Sequence, residues 1–178
     1  MKLHLGCGKR FIDGYVHVDA MWHPHVDIVH QIDRIPAIPS DSVEVIYACH
    51  VLEHFHRQDT VRVLEEWRRI LKPKGILRVA VPDFEELCKL YLEHQKLRYV
   101  LGPLYGRQDY IYNIHYTAFD FQTLKDAIID AGFRPDSVSR YDWRKTDHAN
   151  VDDYSQSYFP HMDKENGRLL SLNVEAQK

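Results

Sequence analysis

The stretch LHLGCGKRFIDGYVHVDA, Leu3 to Ala20, decides how the rest of the chain is read. Lys2–Leu5 and Tyr15–Asp19 read as strands, short and rich in branched or aromatic residues. Between them stand Gly6, Gly8 and a turn, and the second strand ends on Asp19. A dinucleotide-binding unit shares this skeleton, but it asks for a third glycine, a full helix and an acidic residue about 20 positions on. Here Phe11 takes the third glycine's place, and Asp19 follows Gly6 by only thirteen positions. The loop therefore has no long helix whose N-terminus could hold a pyrophosphate. Its glycines still let a ligand approach the backbone, and an acidic strand end can accept hydrogen bonds from ribose hydroxyls. The pattern fits a nucleoside-type ligand without a diphosphate. Read alone, it also describes a tight turn followed by a strand-end cap.

The chain around this stretch has 178 residues, room for one domain (1–178), and 44% of them are hydrophobic. A net charge of −3 drives neither non-specific nucleic-acid binding nor attachment to an anionic membrane. The cysteines, Cys7, Cys49 and Cys88, are scattered and offer no disulfide framework and no paired metal spacing. A reducing, cytoplasmic setting is expected. No apolar run approaches the roughly 20 residues of a membrane span, and MKLHLG enters a strand at once, without a signal peptide.

Further strands are expected at Val26–His30, Val43–Ala48, Gly75–Val81, Ser137–Trp143 and Leu169–Ala176. Helical periodicity falls between them. Thr60–Leu71 places Val61, Leu64, Trp67, Ile70 and Leu71 on one face, and Lys72-Pro73-Lys74-Gly75 stops it. Phe84–Leu97 and Phe121–Ala131 behave similarly, the latter ending at Gly132. Alternating strands and helices imply a parallel α/β sheet with right-handed crossovers. Gly102–Thr117 reads as a glycine- and tyrosine-rich loop, and Arg144–Gly167 as a long polar one.

VDIVHQID (26–33), DSVEVIYACHVLEHF (41–55) and LKPKGILRVAVPD (71–83) then follow the opening stretch in order. This layout resembles the class I S-adenosylmethionine-dependent methyltransferases, in their small type-11-like branch. The resemblance runs from Leu3 to about Pro82 and resumes at FDFQTLKDAIIDAGF (119–133) and LLSLNVEAQK (169–178). It implies a Rossmann-like, mostly parallel seven-stranded sheet with flanking helices, order 3-2-1-4-5-7-6, the last strand antiparallel. The implied cofactor is S-adenosyl-L-methionine. Leu5, Gly6, Cys7 and Gly8 would pass under its methionine part, and Asp19 with Ala20 would hold the ribose. Ile32 and Asp33 would meet the adenine, and Cys49 and His50 would lie beside the methionine amine and sulfonium. The chain departs from many relatives at His4, where they carry an acidic residue, and at Arg10, where they carry a glycine. Arg10 would then pair with the methionine carboxylate. The resemblance implies methyl transfer to an oxygen or nitrogen of a small-molecule or sugar acceptor. The alternative on the same fold is a non-catalytic cofactor-binding or interaction module.

His50-x-x-Glu53-His54 also matches the inverted zinc-protease string, making a small metallopeptidase the rival class. The strand IYAC opening into it, and the glycine loop, speak for the methyltransferase, and no metal is expected. There His50, at the carboxyl end of a strand, is a candidate base for a hydroxyl acceptor, since histidine titrates near neutrality. His54 is expected to have a structural role, and Glu53 to orient it. His115 is the second catalytic candidate, in a loop whose Tyr105, Tyr110, Tyr112 and Tyr116 could wall an acceptor. Arg144–Gly167, with Asp147, His148, Asp152, Asp153, Tyr154, Tyr158 and His161, is expected to rim the acceptor pocket as a lid. No helical segment precedes the first strand, so the site is expected to be open or closed by a second subunit as a homodimer. Nucleic-acid and membrane partners are not expected.

Overall fold

The computed structural model describes all residues from Met1 to Lys178. Nine strands form in the order β1 (Lys2–Leu5), β2 (Val16–Asp19), β3 (Ile28–Val29), β4 (Val43–Cys49), β5 (Leu71–Pro82), β6 (Ser139–Arg140), β7 (Tyr158–Phe159), β8 (Arg168–Leu169) and β9 (Ser171–Gln177). Seven make one sheet, order β3-β2-β1-β4-β5-β9-β6, while β7 and β8 pair as a separate ribbon. Neighbours from β3 to β5 run parallel, and β9 is antiparallel to both β5 and β6. The expected Rossmann-like, seven-stranded order is the one observed.

One face of the sheet is apolar by strand alternation. Leu3 and Leu5 lie beside Ile46 and Ala48, which lie beside Leu77 and Val79, which lie beside Ala176 and Val174. Helices α1 (Thr60–Ile70), α2 (Phe84–His94), α3 (Leu101–Tyr105) and α4 (Phe121–Asp130) complete the elements. Val63, Leu64, Trp67 and Ile70 of α1 and Leu124 and Ile128 of α4 close over that face in a single cluster of 28 buried residues. Trp67 is core as well as anchor, because its indole N–H donates to the Ile32 carbonyl at 2.8 Å. Asp83 caps α2 by accepting from the Glu85 and Glu86 amides, and Asp120 caps α4 by accepting from Thr123.

The opposite face is different. Adjacent strands set His17, His4, Tyr47, Arg78, Glu175 and Ser139 side by side in one cross-strand row. Right-handed crossovers from β1 to β2 and from β2 to β3 would put helices here, but parallel strands need connections of about a dozen residues or more to do so. Only residues 6–15 and 20–27 are available. Residues 143–156 take the place of those helices. His148, almost fully buried, packs on Tyr47 with ring centroids 3.9 Å apart. The Tyr47 hydroxyl donates to Asp153 at 2.6 Å. Asp147 accepts from Tyr15 at 3.0 Å, from Arg78 at 3.3 Å and from Lys2. Arg144–Gly167 is thus chiefly a wall of the sheet, and its lid character shrinks to Tyr154, whose ring lies 5.3 Å from that of His50.

Several boundaries differ from expectation for local reasons. Helix α2 stops at His94 because Gln95 turns left-handed (φ 51°). Val63, not Val61, fills the buried face of α1. Strand β5 begins at Leu71, and Lys72-Pro73-Lys74-Gly75 lies inside it where its pairing with β4 shifts register. Within Gly102–Thr117, the first residues belong to α3. The expected strand at 169–176 is broken at Leu170, which donates its amide to the Ser157 carbonyl.

Candidate active site

The carboxyl ends of β1, β2 and β4 meet at the loop that follows β1. Gly6 has φ +62° and Gly8 φ +52°, both in the left-handed region that favours glycine. The Gly8 amide donates to Asp19 Oδ2 at 2.8 Å, and Asp19 Oδ1 accepts from the Met21 amide at 2.7 Å. Asp19 therefore shapes the loop as well as closing β2. Cys7 is buried, and burial first, then Asp19, pushes its thiol up to about 12. Leu5 is fully buried beneath the loop, Ala20 half-buried beside Asp19, and Arg10 exposed on the outer turn. Ile32 is buried, and Asp33 pairs with Arg62 at 3.3 Å.

After β4 the backbone turns sharply. His50 takes φ +51°, and its amide donates to the Ala80 carbonyl at 2.8 Å. Its Nε2 lies 3.2 Å from Ser171 Oγ on β9, and its Nδ1 lies 3.5 Å from Glu53 Oε1. Burial, then His115 and His54, lowers His50 to about 3, while burial raises Glu53 to about 8. His115 is likewise lowered to about 4, chiefly by burial. The His50–Glu53–His115 contacts thus join neutral groups at neutral pH, although their distances alone would suggest ion pairs. Burial, rather than the near-neutral titration expected from sequence, governs these histidines.

His50 and His54 do not share an α-helix. Leu52–His54 is a single 3-10 turn, and the His54 ring reaches back to the His50 carbonyl at 3.2 Å and across to the Ile114 carbonyl at 3.0 Å. The helical arrangement required by the metallopeptidase reading is absent. His115 does come to this place from the distant tyrosine loop. Its Nδ1 contacts the Pro103 carbonyl at 2.8 Å, and its Nε2 lies 3.9 Å from Glu53 Oε1. The same loop reaches Asp19 at the end of β2 and Gln31 after β3. Gln31 donates to the Tyr112 hydroxyl at 3.0 Å, and burial together with Asp19 raises the Tyr110 phenol. Ser171, Val51 and Gln31 were not singled out by sequence reasoning; their places depend on distant strands and carry no local motif. An apolar groove of about 330 Å³ between α2 and α3, lined by Phe84, Leu87, Tyr91 and Leu104 among others, is separate from this cleft.

A family model described as a methyltransferase domain matches residues 15–79, the span from β2 through α1 into β5. That part of the chain is similar to a methyltransferase domain. Solved structures agree on the methyltransferase fold. One is a SAM-dependent methyltransferase, possible histamine N-methyltransferase, from Thermotoga maritima, at TM-score 0.62 and 16% identity, covering 99% of this chain and 81% of that one. A second is the Burkholderia thailandensis 1,6-didemethyltoxoflavin-N1-methyltransferase with bound 1,6-didemethyltoxoflavin and S-adenosylhomocysteine, at TM-score 0.62 and 14% identity, covering 99% and 70%. A third is a SAM-dependent methyltransferase from Archaeoglobus fulgidus, at TM-score 0.59 and 15% identity, covering 99% and 85%. No curated protein sequence matches this chain significantly. No helix in it is long and apolar enough to cross a membrane.

Proposed function

We propose that residues 1–178 form one methyltransferase domain that transfers the methyl group to an oxygen or nitrogen of a small-molecule or glycan acceptor in the cytoplasm. Leu5–Gly8, Asp19, Ala20, Ile32, Asp33, Cys49 and His50 hold S-adenosylmethionine, and Arg10 contributes from the rim. The observation that supports this reading most is the convergence of the Gly6–Gly8 loop, Asp19 and His50 at one strand edge beneath the loop of Tyr110 and Tyr112. The sulfonium supplies an activated methyl group, so transfer is an in-line displacement that depends mainly on holding the acceptor in place. Tyrosine faces suit a sugar or a flat ring. His50 is the base for a hydroxyl acceptor, its orientation set by Ser171, and His115 is the second catalytic candidate. A second copy of the chain would complete the open side of the acceptor cleft.

The test is S-adenosylhomocysteine release measured over a panel of sugars, phenols and amines, followed by His50→Ala on the acceptor found. Turnover should fall by roughly 10²–10⁴ with S-adenosylhomocysteine binding retained. Full turnover in the variant removes His50 as the base. A parallel loss of binding makes it a cofactor residue instead.

A further inference from the structure

The environment of Glu53 is unusual for a carboxyl group. Its side chain is fully buried, and neither oxygen has a hydrogen-bond partner. A buried polar group left unpaired is costly. The nearest nitrogens do not supply that partner. His115 Nε2 is 3.9 Å away and His50 Nδ1 3.5 Å, both beyond hydrogen-bond length. Moving the proton to Glu53 changes none of these distances. Two ligands of one ion are spaced differently: with bonds of about 2.0–2.1 Å to zinc they stand about 3–4 Å apart.

Other observations point to the same place. One ligand atom each from Glu53, His54 and His115 lies within 4.8 Å of the others. His115 has its second ring nitrogen on the Pro103 carbonyl, the outer hydrogen bond that typically orients a metal-bound imidazole. Both His54 nitrogens face carbonyl oxygens, of Ile114 and of His50. A neutral ring can donate to only one of them, which leaves a lone pair against an oxygen, a place for a cation. The Glu53 backbone carbonyl already accepts the Tyr116 and Thr117 amides at 2.8 and 3.2 Å. The tyrosine loop therefore has its root at this residue.

We propose that Glu53, His54 and His115 bind a divalent first-row transition ion that fastens the root of the tyrosine loop to the end of β4. Two imidazoles and a carboxylate form a donor set suited to zinc or iron(II). On binding, the ion replaces the carboxyl proton, which leaves to solvent. The site differs from the protease string, because its third ligand comes from a loop 61 positions beyond His54 and His50 is not required. Its role is to fix the loop that overhangs the cofactor cleft.

The experiment uses the full chain, stripped with chelator and titrated with zinc alone, without cofactor or acceptor. Its outcome is therefore independent of the acceptor reading. One zinc per chain should bind, and a hundredfold excess over Kd should raise Tm by about 5–10 °C. Glu53→Gln preserves side-chain shape and should lose at least tenfold in zinc affinity together with the Tm shift. In chelator this variant should be no less stable than the parent, since it carries no buried carboxyl. His115→Ala should lose binding as well; where that variant does not fold, Glu53→Gln decides. A parent that binds no stoichiometric zinc overturns the proposal. So does a Glu53→Gln variant that binds zinc as tightly as the parent, which would place the ion on surface histidines such as His23 and His25.

Discussion

A Cβ atom added to Gly6 would stand 2.3 Å from Cγ2 of Val51. The loop after β1 packs against the turn after β4, so the two segments support each other there. Gly6→Ala also places a side chain at φ +62°. The conformational part costs about 1–2 kcal/mol and the overlap about 1–3 kcal/mol. Urea unfolding should show the sum, about 2–5 kcal/mol. Adding Val51→Ala should recover the overlap and leave the conformational part. Unchanged stability in Gly6→Ala would contradict this contact.

Asp19 has two tasks, and substitutions should separate them. Asp19→Ala removes the proposed ribose acceptor and leaves the Gly8 and Met21 amides without their carboxylate. S-adenosylhomocysteine affinity should fall about 10- to 150-fold, as for a lost charge-assisted hydrogen bond. Asp19→Asn keeps one acceptor oxygen and should lose less. Isothermal titration of both variants provides the check; equal Kd values for Asp19→Ala and the parent would remove Asp19 from the cofactor site.

The helical side of the sheet was legible in the sequence, and the other side was not. Trp67 could be assigned to the core because its neighbours repeat at helical spacing, and the strand order was implied by the family resemblance that the motifs carry. Nothing local marks Asp153 as the partner of Tyr47, 106 positions away, or Asp147 as the partner of Lys2, 145 away. Polar residues that bond across such distances look the same in sequence as a solvated loop. The shortness of the link between the first two strands did announce that the first crossover lacks a long helix, without saying what replaced it. At the site, the glycine loop and Asp19 were readable as motif. The environment of Glu53 was not, because its neighbours come from a loop whose glycine and tyrosine content carries no periodic signal.

The sheet's polar face should make the protein acid-sensitive well above the range in which carboxylates titrate. His4 lies between His17 and Tyr47, with His148 and His25 close by and Asp147 and Asp153 beyond them. Burial, then His17, His148 and His25, lowers His4 from its ordinary 6.5 to about 3. His17 and His148 are lowered too, chiefly by burial. The unfolded chain therefore takes up protons first as pH falls. The share of these histidines is complete above about pH 6.5 and is lost progressively toward pH 3. Glu53, raised by burial to about 8, acts in the opposite sense between about 4.5 and 8. Asp147 acts in a lower window: burial opposes its ionisation, but Lys2 and Tyr15 hold it down at about 2, so its share is lost only below its ordinary 3.8. The Tm difference between the parent and His4→Asn, followed from pH 8 to 4, should therefore change from about 6.5 downward in favour of the variant. A difference that stays constant between pH 6.5 and 4.5 would count against this account.

Residues 143–156 should prove necessary for folding. Tyr47→Phe deletes the 2.6 Å bond to Asp153, whose other oxygen already accepts from the Ser155 amide and hydroxyl. Leaving one buried carboxylate oxygen unpaired should cost about 1–3 kcal/mol. Replacing residues 144–156 by a short turn should abolish cooperative unfolding, as followed by near-UV circular dichroism. A shortened chain that folds and loses only acceptor use would restore the segment to the role of a simple lid.

The same arrangement has a consequence for synthesis. β1, β2 and β4 are synthesised before residues 143–156, yet those residues are the cover for the strands' His4–Tyr47 side. Contacts at such separation must close a long loop before they return any stability, which makes them slow to form. Until then the emerging first half presents a bare polar sheet face and an unfinished cleft. Strands β1, β2 and β4 thus become a finished structure only once residues 143–156 have been made and fold back over them.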